Sequence, residues 1–188
     1  MAQFDPFRDR LARDIRNALS TALIKGLDQS KPDLVHAVAG NFLAVELAPL
    51  YHEYVRNRLR LYNAVFAEID RSGKTDIFAQ ALILWDMGLF FEVHERLETI
   101  WLPATGERRL ALQGMIRAAG AYVKWENGDY EAARKMAVKA ATALDAYRAA
   151  LPQSVLNLDT LIRLLRELTT ELPPISLRTH INRRKETS

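Results

Sequence analysis

The residues that could do chemistry are concentrated in one stretch, Phe90-Phe91-Glu92-Val93-His94-Glu95-Arg96-Leu97-Glu98-Thr99-Ile100-Trp101. Placed at about 100° per residue around a helix, Trp101, Phe90, Leu97 and Val93 all fall within about 100° of His94 on one side, and Glu98 falls about 40° away on the other. On this wheel His94 and Glu98 stand inside an apolar stripe, Thr99, Glu92 and Arg96 face solvent, and Glu95 sits on the boundary. An ionised carboxylate inside such a stripe must be paired, protonated or bound to a cation, because burying it alone is costly. A histidine and a glutamate at i and i+4 can offer a ring nitrogen and an oxygen to one metal ion, with Glu95 as a third ligand. The same pair can form an imidazole–carboxylate network that only fixes packing. It can also line a small catalytic or ligand pocket, with His94 as the acid–base group and Glu98 as its orienter.

The next helical pattern supplies neighbours for this turn. Leu110, Gln113, Gly114, Arg117 and Ala121 share a face, and the two small residues allow another helix to come close. Trp101, Arg109, Gln113 and Arg117 are therefore expected around the site. An Arg117–Glu98 ion pair would neutralise the carboxylate and remove the need for a metal.

Helical periodicity runs along the chain as far as Glu171, and glycine and proline punctuate it. Helices are expected from Pro6 to Leu27, with Gly26 near the end, and from Ser30-Pro32 onward until Pro49 divides or kinks the segment. The pattern resumes to Ile69 and breaks at Arg71-Ser72-Gly73. Shorter helices follow, from Thr75 or Asp76 to Met87, Phe90 to Leu102, Glu107 to Glu126, Asp129 to Leu151 and Leu158 to Glu171. No segment alternates with period two, so the expectation is an all-α, compact bundle of about seven helices built from stacked hairpins. Residues 1–73 read as an N-terminal helical extension packed on that bundle, 74–173 as its core and 174–188 as a basic, disordered tail. Gly88-Leu89-Phe90 and Gly128-Asp129-Tyr130 repeat a glycine-x-aromatic turn 40 positions apart. That spacing does not match the 34-residue tetratricopeptide period, so the repeat reads as a shared hairpin turn.

The stretch FFEVHERLETIW, followed by RRLALQGMIRAAGAY and NGDYEAARKMA, resembles the helical family catalogued as domain of unknown function 309. The family's His-x-x-x-Glu-x-x-(Trp or Tyr) hallmark is matched by His94, Glu98 and Trp101, and the resemblance covers roughly residues 80–150. It implies that this motif is functionally important and binds metal, with no activity attached. Val93 stands where a small alanine is expected, and Arg117 where the family usually has a neutral polar residue.

Composition excludes several alternatives. With no cysteine in 188 residues, thiol catalysis, disulfides, iron–sulfur clusters and thiolate zinc sites are ruled out. Any metal would have to be one that accepts nitrogen and oxygen ligands, such as zinc, iron, manganese or nickel. A net charge of +3 is too small to mark a nucleic-acid binder. The alternating Arg56, Arg58 and Arg60 do not share a helix stripe, so no nucleic-acid partner is expected. No apolar run is long enough for a membrane span, and the charged N-terminus MAQFDPFRDRLARD lacks a signal peptide's apolar stretch, so a cytoplasmic location is expected. Glu46 is a further carboxylate in an apolar context that could complete the site. Glu-x-x-His pairs for a di-metal bundle are absent, Asp33-Leu34-Val35-His36 being the nearest approach. No phosphate loop or nucleophile elbow is present, so no reaction is assigned. A homodimer fits a helical protein of this size. The competing function is a protein–protein interaction module with tetratricopeptide-like hairpins, in which His94 and Glu98 are structural.

Overall fold

Aspartate side chains cap the starts of three helices, and left-handed residues stand at or just past the ends of several. Asp9 accepts a hydrogen bond from the backbone of Leu11 at 2.9 Å and so caps helix α1 (Arg10–Gln29). Asp76 does the same for α4 (Ile77–Asp86), accepting from Ala79 N at 2.8 Å. The computed structural model describes residues 4–168, 172, 173 and 175–178, and every regular element among them is helical. The remaining helices are α2 (Asp33–Leu43), α3 (Pro49–Ser72), α5 (Phe90–Trp101), α6 (Gly106–Glu126), α7 (Tyr130–Ala146) and α8 (Leu158–Arg166). A 3-10 turn, Arg148–Ala150, follows α7 where a longer helix was expected. The chain divides into two units, Met1–Thr75 and Asp76–Ser188.

The first unit packs α1, α2 and α3 against one another. Pro49 opens α3 at its first turn, where its missing N–H is harmless. Gly26 lies near the end of α1, as expected, but is not the residue that terminates it. The helix runs on to Gln29, and Ser30 takes the left-handed conformation at φ 54°. Gly26 is small for packing reasons, since a Cβ there would lie 3.0 Å from the Lys31 carbonyl oxygen and 3.1 Å from Phe66 of α3. Tyr51 of α3 donates to Asp9 at 2.6 Å. That bond holds the Asp9 carboxyl below the usual carboxylate range and raises the Tyr51 phenol above its own.

In the second unit each helix packs on the next, α4 on α5, α5 on α6, α6 on α7 and α7 on α8. The two glycine turns are the same motif in full. Gly88 N bonds Trp85 O and Leu89 N bonds Leu84 O, each at 3.0 Å; Gly128 N bonds Trp125 O and Asp129 N bonds Lys124 O, again each at 3.0 Å. Both glycines are left-handed, at φ 70° and 75°, which a residue with a Cβ adopts only with strain. A tryptophan precedes each by three positions and meets the aromatic that follows it. Trp85 and Phe90 lie edge-on at 5.2 Å between ring centroids, and Trp125 and Tyr130 lie tilted at 4.6 Å. The repeated unit is thus Trp-acid-x-Gly-x-aromatic, and it builds two hairpins, α4–α5 and α6–α7.

Close approach of α6 and α7 depends on missing side chains, as the Gly114 face implies. A Cβ on Gly114 would stand 3.0 Å from Leu144 Cγ and 3.2 Å from the Leu144 backbone nitrogen. The C-terminal segment departs from expectation, because part of the presumed tail covers the core. Leu172, Ile175 and Leu177 are buried. Trp85 Nε1 donates to Ile175 O at 2.9 Å. Asp86 accepts from Leu177 N at 2.8 Å, Ser176 Oγ at 2.9 Å and Arg178 Nε at 3.0 Å. Residues 179–188, with the rest of the presumed basic tail, lie outside the described residues.

These contacts separate two kinds of helical glycine. Gly114→Val is expected to lower stability by about 1–3 kcal/mol through overpacking against Leu144. Gly40→Ala, where a Cβ meets nothing within 4 Å, is expected to raise it by about 0.5–1 kcal/mol. Urea unfolding of both variants checks the contrast, and equal shifts would contradict it.

Candidate metal centre

The rotation of α5 about its own axis decides what its polar residues can do. α5 is packed on α4 and on α6, so more than one side of it is covered. Its buried residues are Phe90, Glu92, Val93, Arg96 and Leu97. This corrects the helix wheel. Glu92 and Arg96, expected toward solvent, are 0% and 2% exposed, whereas His94 and Glu98, expected within the apolar stripe, are half-buried at its edge. The physical reason lies 16 positions back in the chain. Gln80 of α4 accepts from Arg96 Nε at 3.0 Å and from Nη2 at 2.6 Å, giving the buried guanidinium an acceptor in the core. Glu92, one turn before Arg96, enters the same buried flank, and neither residue is left without a partner.

With Arg96 turned inward, His94, Glu95 and Glu98 emerge together on the outer edge. Their ligand atoms, one from each residue, lie within 4.8 Å of one another. His94 Nδ1 stands 3.3 Å from Glu95 Oε1, and the two side chains are 37% and 36% exposed. Donors bound to one ion at about 2.0–2.2 Å lie no more than about 4.4 Å apart, so small side-chain rotations would close the set. One imidazole and two carboxylates suit a divalent cation that takes nitrogen and oxygen ligands.

The neighbours expected around this turn have separate roles. Arg109 caps the end of α5: its Nη1 donates to the carbonyls of Trp101, Leu102 and Ala104 at 3.3, 3.0 and 3.2 Å, where a helix terminus favours a cation. Its guanidinium also lies 4.2 Å over the Trp101 ring. The Trp101 indole nitrogen is buried and makes no hydrogen bond among the described residues. Gln113 and Arg117 are half-buried on α6, and neither makes a hydrogen bond or ion pair among the described residues. The anticipated Arg117–Glu98 pair is therefore not formed, and Glu98 has no cationic partner there. Glu46, the further candidate, is exposed between α2 and α3 of the first unit and is not a buried carboxylate. His36 is exposed, not packed in the core, and its ring bonds Asn63 Oδ1 at 2.9 Å.

Sequence reasoning missed Gln80, Glu92 and Arg96 as the group that sets this geometry. The signal was Gln80 itself, the lone polar residue between the N-terminal Ile77 and Trp85 of an otherwise apolar helix.

Residues 78–136 match the family model described as Domain of unknown function (DUF309), a span that includes His94, Glu98, Trp101, Arg109, Gln113-Gly114 and Gly128. No curated protein and no solved structure matches the chain. No helix among the described residues is long and apolar enough to cross a membrane.

If Gln80 is what permits Arg96 to be buried, Gln80→Leu leaves guanidinium donors unsatisfied. Stability should fall by about 2–4 kcal/mol in urea unfolding. A loss below about 0.5 kcal/mol, the size of an ordinary surface change, would show that Arg96 is held by other means.

Proposed function

We propose that the DUF309 segment of this chain carries an open divalent-cation site formed by His94, Glu95 and Glu98 of α5. The observation that supports it is the convergence of three ligand atoms within 4.8 Å on a half-exposed helix edge. Glu98 has no competing ion pair among the described residues to neutralise it. His94 would give a ring nitrogen, and Glu95 and Glu98 one oxygen each. The absence of cysteine limits the candidates to metals content with such donors, zinc, iron, manganese or nickel among them.

Three protein ligands on one exposed edge leave coordination positions open, which is the pattern of sites that handle a substrate or water and not of closed structural sites. A bound divalent metal would supply Lewis-acid polarisation of an oxygen ligand. The chain's own contribution is to hold the donors. Arg109 fixes the end of α5, and Arg96 with Gln80 sets its rotation, so the trio stays on the outer edge without metal. The interaction-module reading, with His94 and Glu98 purely structural, has less support, because Glu98 joins no packing network among the described residues.

Titration calorimetry on tag-free protein tests the site. The expectation is one divalent ion bound per chain. Glu98→Gln and His94→Ala should each weaken binding by at least about tenfold, the scale reached even when a residue behind a ligand is lost. Absence of binding in the wild type, or binding unchanged in both variants, would sink the proposal.

A further inference from the structure

Arg117 and Gln113 of α6 are free of the roles a packed helix would give them, and their place in the fold says what they can hold. Two contacts fix the register of α5 against α6. The Phe90 and Tyr122 rings lie 4.4 Å apart between centroids, and the Arg109 guanidinium lies 4.2 Å over the Trp101 ring. The first joins the start of α5 to the last turns of α6, and the second joins the end of α5 to the first turn of α6, so the helices run antiparallel. Counting inward from both contacts brings Glu98 to the level of Gln113 and His94 to the level of Arg117.

The two sets of residues also form matching rows. At about 100° per residue, Trp101, Glu98 and His94 fall within about 60° of one another on α5. Arg109, Gln113 and Arg117 fall within about 80° of one another on α6, on the side away from the buried Ala111, Met115, Ala118 and Tyr122. The rows meet where Arg109 touches Trp101. Packed helix axes stand about 8–10 Å apart, and no hydrogen bond or ion pair joins Arg117 or Gln113 to the trio across that gap.

Charge then selects the occupant. Glu95 and Glu98 balance one divalent ion and no more. Arg117 is half-buried, cannot shed its proton and has no acceptor among the described residues, so its charge is left over. Arg109 adds a second guanidinium to the same row, already bonded to the carbonyls at the end of α5.

We propose that the open side of the His94–Glu95–Glu98 site takes a small oxyanion, a phosphate or carboxylate group, held by the Arg117 guanidinium with the Gln113 amide as a further donor. This names the ligand class of that site and rests on the metal reading. A neutral ligand would leave the guanidinium unpaired and a cationic one would be repelled by it, whereas the guanidinium fork matches the oxygens of either anion. Arg117 is the residue that sets the charge preference.

The test uses the full chain in molar excess over Mn(II), titrated with inorganic phosphate and separately with acetate. The phosphorus and methyl NMR line widths report each anion beside the paramagnetic ion. Saturable broadening by at least one anion is expected, and the tighter of the two identifies the group preferred. Arg117→Gln should weaken that anion by about tenfold or more, while calorimetry finds Mn(II) bound as tightly or more tightly because a neighbouring cation is gone. Mn(II) binding with no saturable broadening by either anion, or with broadening that Arg117→Gln leaves unchanged, would overturn this inference and leave the metal site standing. A wild-type chain that binds no Mn(II) would take both down.

Discussion

Burial of the Arg96 guanidinium is the constraint on which the site geometry depends. A guanidinium carries five donors and cannot shed its charge, so it is tolerated in an interior only where acceptors wait for it. Gln80 provides one, gripping both Nε and Nη2 through a single oxygen. Because Arg96 must face α4, α5 can take only one rotation, and that rotation carries His94, Glu95 and Glu98 to the outer edge. A rotation that buried His94 and Glu98 would turn Arg96 toward solvent and abandon its bond with Gln80. The half-exposed trio of His94, Glu95 and Glu98 and the buried flank of Glu92 and Arg96 are two results of one packing choice.

Local signals made the helices legible and left their rotations hidden. Asp76, Gly88, Gly128 and Pro49 each mark a helix end where the sequence places one, because capping and left-handed turns depend on a few neighbouring residues. Gly26 does lie near a helix end, but its smallness also serves Phe66 some 40 positions away in the chain, which no local signal shows. The wheel of α5 failed for a similar reason. It assumed that charged residues face water, but a helix packed between two others covers more surface than its apolar residues can fill. Identifying Glu92 and Arg96 as buried required knowing that Gln80 would lie opposite. The trio of His94, Glu95 and Glu98 was readable because its spacing is local. The roles of Arg109 and Arg117 were not, since one caps a helix and the other does not reach Glu98. The Asp86 contacts with residues 176–178 link positions about 90 apart and leave no local trace.

The repeated hairpin turn connects fold and chemistry in a second way. Each turn needs a left-handed glycine to reverse the chain, and each places a tryptophan three positions before it. The stacking of the hairpins then gathers these aromatics with Phe90 and Tyr122 at one end of the second unit. Trp85 lies 5.1 Å from Tyr122 and Phe90 lies 4.4 Å from it. The same element that organises the fold thereby builds an aromatic wall, while the edge of α5 carries His94, Glu95 and Glu98. Residues 172, 173 and 175–178 lie over that wall, accepting hydrogen bonds from Trp85 at Ile175 O and from Tyr122 at Pro173 O.

The most direct measurement of the central claim is the imidazole NMR spectrum of the protein as Mn(II) is added in substoichiometric steps. The chain has four histidines, His36, His52, His94 and His180, so each signal can be assigned by single substitution. The account predicts that the His94 resonances broaden first, while those of His36 and His52, in the first unit, persist. Equal broadening of His36, His52 and His94, or a His94 signal that remains sharp throughout, would contradict it.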